Sequence, residues 1–358
     1  MIRRLAFDVA ILGGGPCGLI AALAASKNGR VALVSDRLPE LDGPVRIDSI
    51  PGRALALLTE FGVSPRSIGV DRLHEERVDS WGSAAPRRNR GVPTAHIERP
   101  SLERALLDVV RSTGRISLVR ERVTAKSCED PGHAVWRAGS LIDATGRSSI
   151  SAREKIRPGK LWASRFFWLE RKQTHAAPEF RIAPLSSGYA YRLGSISKVG
   201  IGIVGRGRML QRDLRHIERI MHEEGAGWLC QDLPPLDEMN GGASGVCSLQ
   251  WSEQGKLAQA GDALLARDSL SSQGLAGSLS DALYAVAAVR SDGLESLAQR
   301  QRANLRTQLV FLKELLSRCR FRDQPVWRDY DAFIEVSLDA ARAATGPALR
   351  DGALAASS

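Results

Sequence analysis

Three short glycine-containing segments carry the residue types of a dinucleotide-binding site. In chain order they are Gly13-Gly-Gly-Pro-Cys-Gly18, Asp143-Ala-Thr-Gly146 and Gly261-Asp262. Glycine lets a backbone approach a phosphate closely, and a carboxylate accepts hydrogen bonds from sugar hydroxyls. Any one segment could be an ordinary turn, but their order and spacing together predict an FAD site.

The first segment lies where an apolar strand turns into a helix. It follows Val9-Ala-Ile-Leu12 and precedes an apolar run that starts at Leu19. In such a turn Gly13 permits the sharp bend, Gly15 lets the backbone approach a pyrophosphate, and Gly18 lets helix and strand pack closely. The helix N-terminus then offers unpaired N–H groups to the phosphates. Alone, this motif fits a glycine-rich turn of an ordinary βαβ unit equally well.

A second apolar strand, Val31-Ala-Leu-Val34, is followed by Asp36. An acid at this distance from the turn is placed to accept hydrogen bonds from an adenosine ribose 2′-OH. The alternative for Asp36 is a solvated charge at the end of a strand.

The composition of the chain argues against several other classes of protein. The 358 residues are 43% hydrophobic and 25% charged, with a net charge of +10 that comes mostly from dispersed arginines. Dispersed charge favours anionic cofactors, substrates or partners over nucleic acid. The five cysteines show no metal-binding or disulfide spacing, and no window offers the about 18 apolar residues of a membrane span. Asp8 interrupts the signal-like N-terminus. We therefore predict a cytoplasmic protein without metal, membrane or nucleic-acid binding.

The middle of the chain has the pattern of an antiparallel sheet that could cover a flavin. Its aromatic residues Trp168, Tyr189 and Tyr191 are candidate substrate contacts, although most aromatic residues of such a sheet belong to its core. The predicted strands are Arg165–Arg171, Phe180–Ile182, Gly188–Leu193 and Val199–Val204. Helical patterns follow from Leu275 to Val289 and from Leu297 to Arg318.

With these positions in view the chain resembles the FAD-dependent monooxygenases and halogenases of the para-hydroxybenzoate hydroxylase fold. The family's third motif is matched by Gly261-Asp262-Ala263, Ser269-Leu-Ser-Ser-Gln-Gly274 and Asp281-Ala282. The resemblance implies that Asp262 bonds a ribityl hydroxyl and that the helix opening near Gly274 points at the isoalloxazine. Ser269 replaces the proline of the motif, which affects the geometry at the flavin face more than FAD binding.

The same resemblance implies that Arg99 lies along the FAD and that Gly146 belongs to the family's second glycine motif. It implies an α/β fold in which an FAD-binding Rossmann-type lobe carries an inserted antiparallel-sheet substrate lobe and C-terminal helices. The predicted boundaries are 1–70, 96–160 and 256–295 for the FAD-binding lobe, 71–95 and 161–255 for the substrate lobe, and 296–358 for the C-terminal helical segment.

Two segments, Val78-Asp-Ser-Trp-Gly82 and Gly188-Tyr-Ala-Tyr191, resemble the halogenase-like branch in particular. That branch includes monooxygenases acting on peptidyl tryptophan. Tryptophan halogenases carry an essential lysine after the first βαβ unit and a Trp-x-Trp-x-Ile-Pro signature. Residues 37–96 contain no lysine and the signature is absent, so halogenation of free tryptophan is not expected.

The resemblance implies a monooxygenase that hydroxylates an aromatic indole or phenol, either free or carried on an acidic peptide or protein. Electrons would come from NAD(P)H or from a separate flavin reductase, because a second nucleotide fingerprint is missing. His74 and His96 are candidate acid–base residues only because imidazole titrates near neutrality. The alternatives are another flavin-dependent oxidoreductase, namely a carrier-bound halogenase or a double-bond reductase, and a non-catalytic FAD-binding partner protein.

Overall fold

The computed structural model describes residues 6–38, 45–129, 137–158, 162–171, 180–206, 210, 213–252, 257–291 and 293–343. Within these ranges, none of the helices has the length and apolar composition needed to cross a membrane.

A five-stranded parallel sheet forms the first layer of the molecule. The short strand Val31–Val34 is buried along its whole length, as expected when both faces of a parallel sheet are covered. The strands are β1 (Ala6–Leu12), β2 (Val31–Val34), β6 (Ile116–Val119), β7 (Arg137–Asp143) and β15 (Ala258–Gln259). Their spatial order is β15-β7-β1-β2-β6.

An eight-stranded, mainly antiparallel sheet forms the second layer, in the order β13-β9-β12-β11-β10-β4-β5-β3. The four strands predicted in the middle of the chain are confirmed as β9 to β12. The strands are β3 (Ile47–Pro51), β4 (His74–Asp79), β5 (Arg87–Glu98), β9 (Trp162–Glu170), β10 (Phe180–Leu185), β11 (Gly188–Gly194), β12 (Lys198–Arg206) and β13 (Asn240–Val246). A small sheet pairs β8 (Lys155–Ile156) with β14 (Gln250–Ser252).

This second sheet extends beyond the residues predicted for the substrate lobe. It takes in β3 and the last residues of β5, which lie within the ranges predicted for the FAD-binding lobe. The reason is the length of β5, whose twelve residues pair with β4 along one part and with β3 along the other. The two predicted lobes therefore share strands at the point where their layers meet.

Helices cover both layers. Every residue of α1 except Ala24 is buried, because α1 packs on the parallel sheet and is covered by later helices. The helices are α1 (Pro16–Ser26), α2 (Gly52–Glu60), α3 (Arg99–Ser112), α4 (Ala125–Glu129), α5 (Leu214–Glu223), α6 (Asp262–Leu265), α7 (Gly274–Arg290), α8 (Leu294–Ser317) and α9 (Pro325–Ala343).

The two C-terminal helices hold the back of the eight-stranded sheet through buried tryptophans. Trp327 of α9 packs against Trp162 of β9 with ring centroids 5.0 Å apart, and its Nε1 donates to the Leu185 carbonyl at 2.7 Å. Trp81 donates through Nε1 to the Leu315 carbonyl of α8 at 2.8 Å. Because both indole N–H groups are bonded, these rings fix the sheet without leaving a buried donor unpaired.

Candidate cofactor and substrate cavity

A cavity of about 540 Å³ lies between the two layers. One side, the glycine wall, presents backbone and carboxylate groups from the three glycine-containing segments. The opposite side, the aromatic wall, presents rings of the eight-stranded sheet. The glycine wall consists of Gly15, Ala144, Gly146, Asp262 and Gly274, and the aromatic wall of Phe166, Phe180, Tyr189 and Tyr191. The fold thus gathers segments that are far apart in sequence into one site.

Three of the four glycines in the first segment, Gly13, Gly15 and Gly18, differ in what surrounds their Cβ positions. Gly13 has φ +116°, and a Cβ there would lie 2.4 Å from the Ala144 carbonyl oxygen. A Cβ on Gly18 would lie 1.9 Å from the Gly13 carbonyl oxygen. Gly15 has an ordinary φ of −76°, and no atom lies within 4 Å of its Cβ position. The protein itself therefore requires Gly13 and Gly18, while the openness at Gly15 leaves room for a ligand in the cavity.

The other two glycine segments complete the wall. Gly146 has φ +68°, which favours glycine, and its Cβ position faces open space. Gly274 also faces open space and is the first residue of the seventeen-residue helix α7. The unpaired N–H groups at this helix N-terminus provide a positive end at the cavity. Gly261 does not line the cavity; its φ is +59°, and a Cβ there would lie 2.8 Å from the Cys17 Sγ, so the turn favours glycine.

Asp143 has a supporting role in the second segment. Its Oδ1 accepts from the Thr145 amide at 3.0 Å, and its Oδ2 accepts from the Ser151 amide at 2.9 Å and the Ser151 hydroxyl at 2.7 Å. The carboxylate is fully buried. It therefore shapes the loop that carries Gly146 and does not face the cavity.

Carboxylates accompany the arginines of the cavity. Arg99 donates through Nε to Asp48 at 2.5 Å, and Arg147 Nε lies 3.8 Å from an Asp262 oxygen. Burial disfavours the charged guanidinium of Arg99, but Asp48 outweighs it and raises the pKa. Burial raises the pKa of Asp262, and Arg147 opposes that shift. The predicted residues Arg99 and Asp262 are thus both in the cavity, at the same wall.

A buried ion pair fixes the loop before α7. Arg267 donates to both oxygens of Asp281, at 2.9 and 3.4 Å, and the two side chains are 5% and 2% exposed. A Cβ on Gly277 would lie 2.1 Å from the Arg267 guanidinium carbon, so glycine makes room for the pair. Asp281 belongs to the third motif, but no pattern in the sequence identifies Arg267 as its partner.

Glycines on β12 also make room for the aromatic wall. A Cβ on Gly202 would lie 2.0 Å from the Tyr191 ring, and one on Gly200 would lie 2.3 Å from the Phe166 ring. The two rings stack with centroids 6.4 Å apart. They therefore lie flat on the sheet at positions where a neighbouring strand carries no side chain.

Two of the three predicted substrate contacts line the cavity. Tyr189 and Tyr191 do, and burial raises the pKa of both phenols. The Tyr189 hydroxyl is hydrogen-bonded to the hydroxyl of Ser269, the residue that replaces the proline of the third motif. Trp168 lies outside the lining residues, packed beside Phe166 with Lys198 over its ring.

The histidines and Asp36 lie outside the lining residues. His74 and His96 share a small cleft beside the cavity with Phe180. His96 donates through Nδ1 to the Gly194 carbonyl at 3.1 Å, and burial lowers its pKa to about 4. Burial also lowers the pKa of His74.

Asp36 is solvent-exposed beyond β2 and remains a predicted ribose contact. In the described part of the chain, no cluster of three His, Cys, Asp or Glu residues could hold a metal ion.

No protein-family model matches the sequence. An uncharacterized protein encoded in the nifH2 5′ region of Methanosarcina barkeri is 26% identical over 169 residues, covering 43% of this chain and 90% of that protein. Because that protein is uncharacterized, the sequence match supplies no activity.

Solved structures match over nearly the whole chain. The peptidyl tryptophan dihydroxylase QhpG, essential for tryptophylquinone cofactor biogenesis, has a TM-score of 0.66 and 19% identity, covering 91% of this chain and 78% of that chain. The myxobacterial chondrochloren halogenase CndH has a TM-score of 0.71 and 15% identity, covering 95% of this chain and 91% of that chain. A tryptophan halogenase from Shewanella frigidimarina has a TM-score of 0.67 and 12% identity, covering 95% of this chain and 83% of that chain. The chain therefore has the fold of the FAD-dependent halogenases and monooxygenases, as its motifs predict.

Proposed function

We propose that the protein is an FAD-dependent monooxygenase that hydroxylates an aromatic ring of the indole or phenol type, carried on a peptide or free. The observation that carries the proposal is one cavity with two unlike walls, one of glycine backbone and charge and the other of stacked aromatic rings. A cofactor site and an aromatic site that share one cavity suit a reaction between the two bound molecules.

The glycine wall fits FAD. Gly15 and Gly274 leave open space that no requirement of the protein explains. The turn at Gly15 and the N-terminus of α7 present amide N–H groups and positive potential, which suit phosphates and an anionic reduced flavin. Asp262 offers a carboxylate to a ribityl hydroxyl, with Arg99 and Arg147 beside it. Bound FAD would supply the two-electron activation of dioxygen that ring hydroxylation requires.

The aromatic wall fits a flat, weakly polar ring. Phe166 and Tyr191 give a stacked surface, and the polar groups of the four wall residues themselves are the hydroxyls of Tyr189 and Tyr191. Buried Tyr189 stays protonated because burial raises its pKa. Its hydroxyl and that of Ser269 can therefore orient a phenol O–H or an indole N–H while the rings exclude water.

Halogenation is less well supported, although several solved structures with this fold are halogenases. No described residue that lines the cavity is a lysine, and residues 37–96 contain none. The cavity therefore offers no amine of the kind that tryptophan halogenases use. The electrons would come from NAD(P)H directly or from a separate flavin reductase.

The test is turnover with FAD, NADH or NADPH, an added flavin reductase, and aromatic compounds or short peptides containing Trp or Tyr. We expect oxygen uptake coupled to a product heavier by one oxygen atom, observed by mass spectrometry. Tyr191→Ala should reduce coupled turnover, while Trp168→Ala, on the same sheet but outside the lining, should change it little. Binding of FAD without any oxygenated product across these substrates would contradict the proposal.

A further inference from the structure

The four arginines that line the cavity differ in their partners. Arg99, Arg147 and Arg267 each face a carboxylate, at Asp48, Asp262 and Asp281 respectively. Within the described part of the chain Arg46 has no carboxylate within salt-bridge distance and no side-chain hydrogen bond. Arg46 is solvent-exposed, and it opposes the rise that burial causes in the pKa of Glu103 without forming an ion pair with that residue. Because acids of the protein pair with the other three cations, Arg46 leaves the cavity with a positive charge that a ligand can neutralise.

Arg46 lies where the eight-stranded sheet closes on itself. It immediately precedes β3, which is one edge of the sheet, while β13 is the opposite edge. Its Nη2 nevertheless lies 2.9 Å from the position that a Cβ on Gly245 of β13 would occupy. The sheet is therefore curled enough for one side chain to reach from edge to edge across the cavity.

The contact with Gly245 places the Arg46 guanidinium beside β13, a strand of the sheet that carries the aromatic wall. Arg46 opposes the rise that burial causes in the pKa of Tyr191 and of Cys247, both of which line the cavity. Ser164, the residue paired with Gly245 across the strands, lines the cavity as well. The pyrophosphate turn at Gly15 belongs to the opposite layer. The Arg46 carbonyl accepts from the Arg99 amide at 2.9 Å, but its guanidinium lies beside Gly245 of the eight-stranded sheet, within reach of a ligand at the aromatic wall.

We propose that Arg46 binds a carboxylate of the aromatic substrate and so selects anionic substrates over neutral ones of the same shape. This inference rests on the proposed function, because it assumes that the ligand at the aromatic wall is the substrate. A guanidinium binds a carboxylate through two parallel hydrogen bonds, which orients the ligand as well as holding it. The carboxylate of a free aromatic acid or an acidic side chain beside a peptidyl aromatic residue would supply the same chemistry.

The experiment measures binding, so that it does not depend on turnover. The probes are indole-3-acetate and 4-hydroxyphenylacetate, each with its neutral amide, and two acetylated peptides, Glu-Trp-Glu and Gln-Trp-Gln. Dissociation constants are measured by calorimetry and by the change in flavin absorbance on the FAD-loaded protein. We expect at least one acid to bind about tenfold more tightly than its neutral counterpart, the scale of a hydrogen-bonded charge.

Arg46→Gln should remove this preference, because the acid should bind more weakly while the affinity for the amide stays unchanged. Arg46→Lys should restore part of the preference. Arg90→Gln, which removes one exposed charge remote from the cavity, is the matched control and should keep the preference. The affinity for FAD should be the same in all four proteins. Equal binding of acid and amide by the wild type, equal loss of both in Arg46→Gln, weaker FAD binding in that variant, or no binding of any probe would overturn the inference.

The two claims fail in different ways. If acids are preferred through Arg46 but no oxygenated product forms, the anion site stands and the proposed reaction is wrong. If the neutral probes are hydroxylated as well as the acids, the reaction stands and the role of Arg46 is wrong.

Discussion

The glycine wall of the cavity is fixed by backbone geometry, whereas the aromatic wall is fixed by packing between distant strands. At the glycine wall, Gly13 and Gly18 are demanded by contacts with atoms only a few residues away or on the adjoining strand. At the aromatic wall, Tyr191 and Phe166 are placed by glycines of β12. Tyr189 packs against Trp162, which in turn packs against Trp327. Within each segment of the first wall the turn depends on residue types at short spacing, although the segments themselves are far apart in the sequence; the second wall depends on the pairing of strands.

The glycine wall is therefore the rigid one, and the aromatic wall is the one whose side chains can determine which ligand is recognised. A wall made of backbone groups can bind the invariant parts of a cofactor, such as phosphates and ribityl hydroxyls, but it offers few side chains to change. A wall made of side chains on a sheet can vary ring by ring while the strands remain in place. Substitutions at the two walls should therefore differ in their effects on stability and on ligand binding.

The largest effect is expected at Gly18, because a side chain there meets backbone that cannot move aside. Gly18→Val should cost about 4 kcal/mol or more of unfolding free energy, the upper end for single substitutions. Urea denaturation of the cofactor-free protein measures it. If Gly18→Val unfolds at the wild-type urea concentration, the close packing of α1 on the glycine turn is wrong, and with it the rigidity assigned to this wall.

The next effect is expected at the buried pair behind the glycine wall. Asp281→Asn leaves Arg267 charged and without an acid in a site that water scarcely reaches, which should cost about 3–5 kcal/mol. Glu314→Gln breaks the exposed helical pair with Arg318 and should cost less than about 1 kcal/mol. Similar losses in the two variants would show that the pair does not hold the loop before α7.

A smaller, pH-dependent effect is expected beside the aromatic wall. His96 has an ordinary pKa of 6.5 and a folded value of about 4, so the unfolded chain binds the proton more readily between these values. His96 therefore contributes about 3 kcal/mol to the free energy of unfolding above pH 6.5, relative to its contribution below pH 4. This contribution is lost progressively as the pH falls towards 4.

The comparison with His96→Asn isolates this contribution, since an asparagine amide can also donate to the Gly194 carbonyl. The wild type should lose more stability than the variant between pH 7 and pH 4, measured by urea denaturation at each pH. Parallel pH profiles would mean that His96 is not held neutral by burial.

The sequence predicts the glycine wall well because its rules act over short distances. The turn at Gly13–Gly18, the loop at Gly146 and the helix opening at Gly274 each follow from residue types at fixed spacing, and Asp262 and Arg99 follow from the family resemblance. The strands β9 to β12 are also predicted, because alternating apolar residues and turn residues indicate them directly.

The rest depends on which strands become neighbours. Nothing in the sequence around Arg46 indicates that β3 and β13 approach each other, so neither its place in the cavity nor its lack of an acidic partner is predictable. The exclusion of Trp168 from the lining, the cleft shared by His74 and His96, and the pairing of Arg267 with Asp281 likewise depend on strand order and curl. These are long-range properties that no local pattern encodes.

The most direct test of the central claim, that the glycine wall is an FAD site, is an FAD titration of the wild type and of Gly15→Val. Apart from the two neighbouring residues of the chain, no protein atom lies within 4 Å of the position that a Cβ on Gly15 would occupy, so the variant should unfold at nearly the same urea concentration as the wild type. The wild type should bind one FAD, seen as a perturbed flavin absorbance after removal of free cofactor, and Gly15→Val should bind none, because the added side chain occupies the approach to the pyrophosphate. A folded Gly15→Val protein that retains stoichiometric FAD would contradict the account.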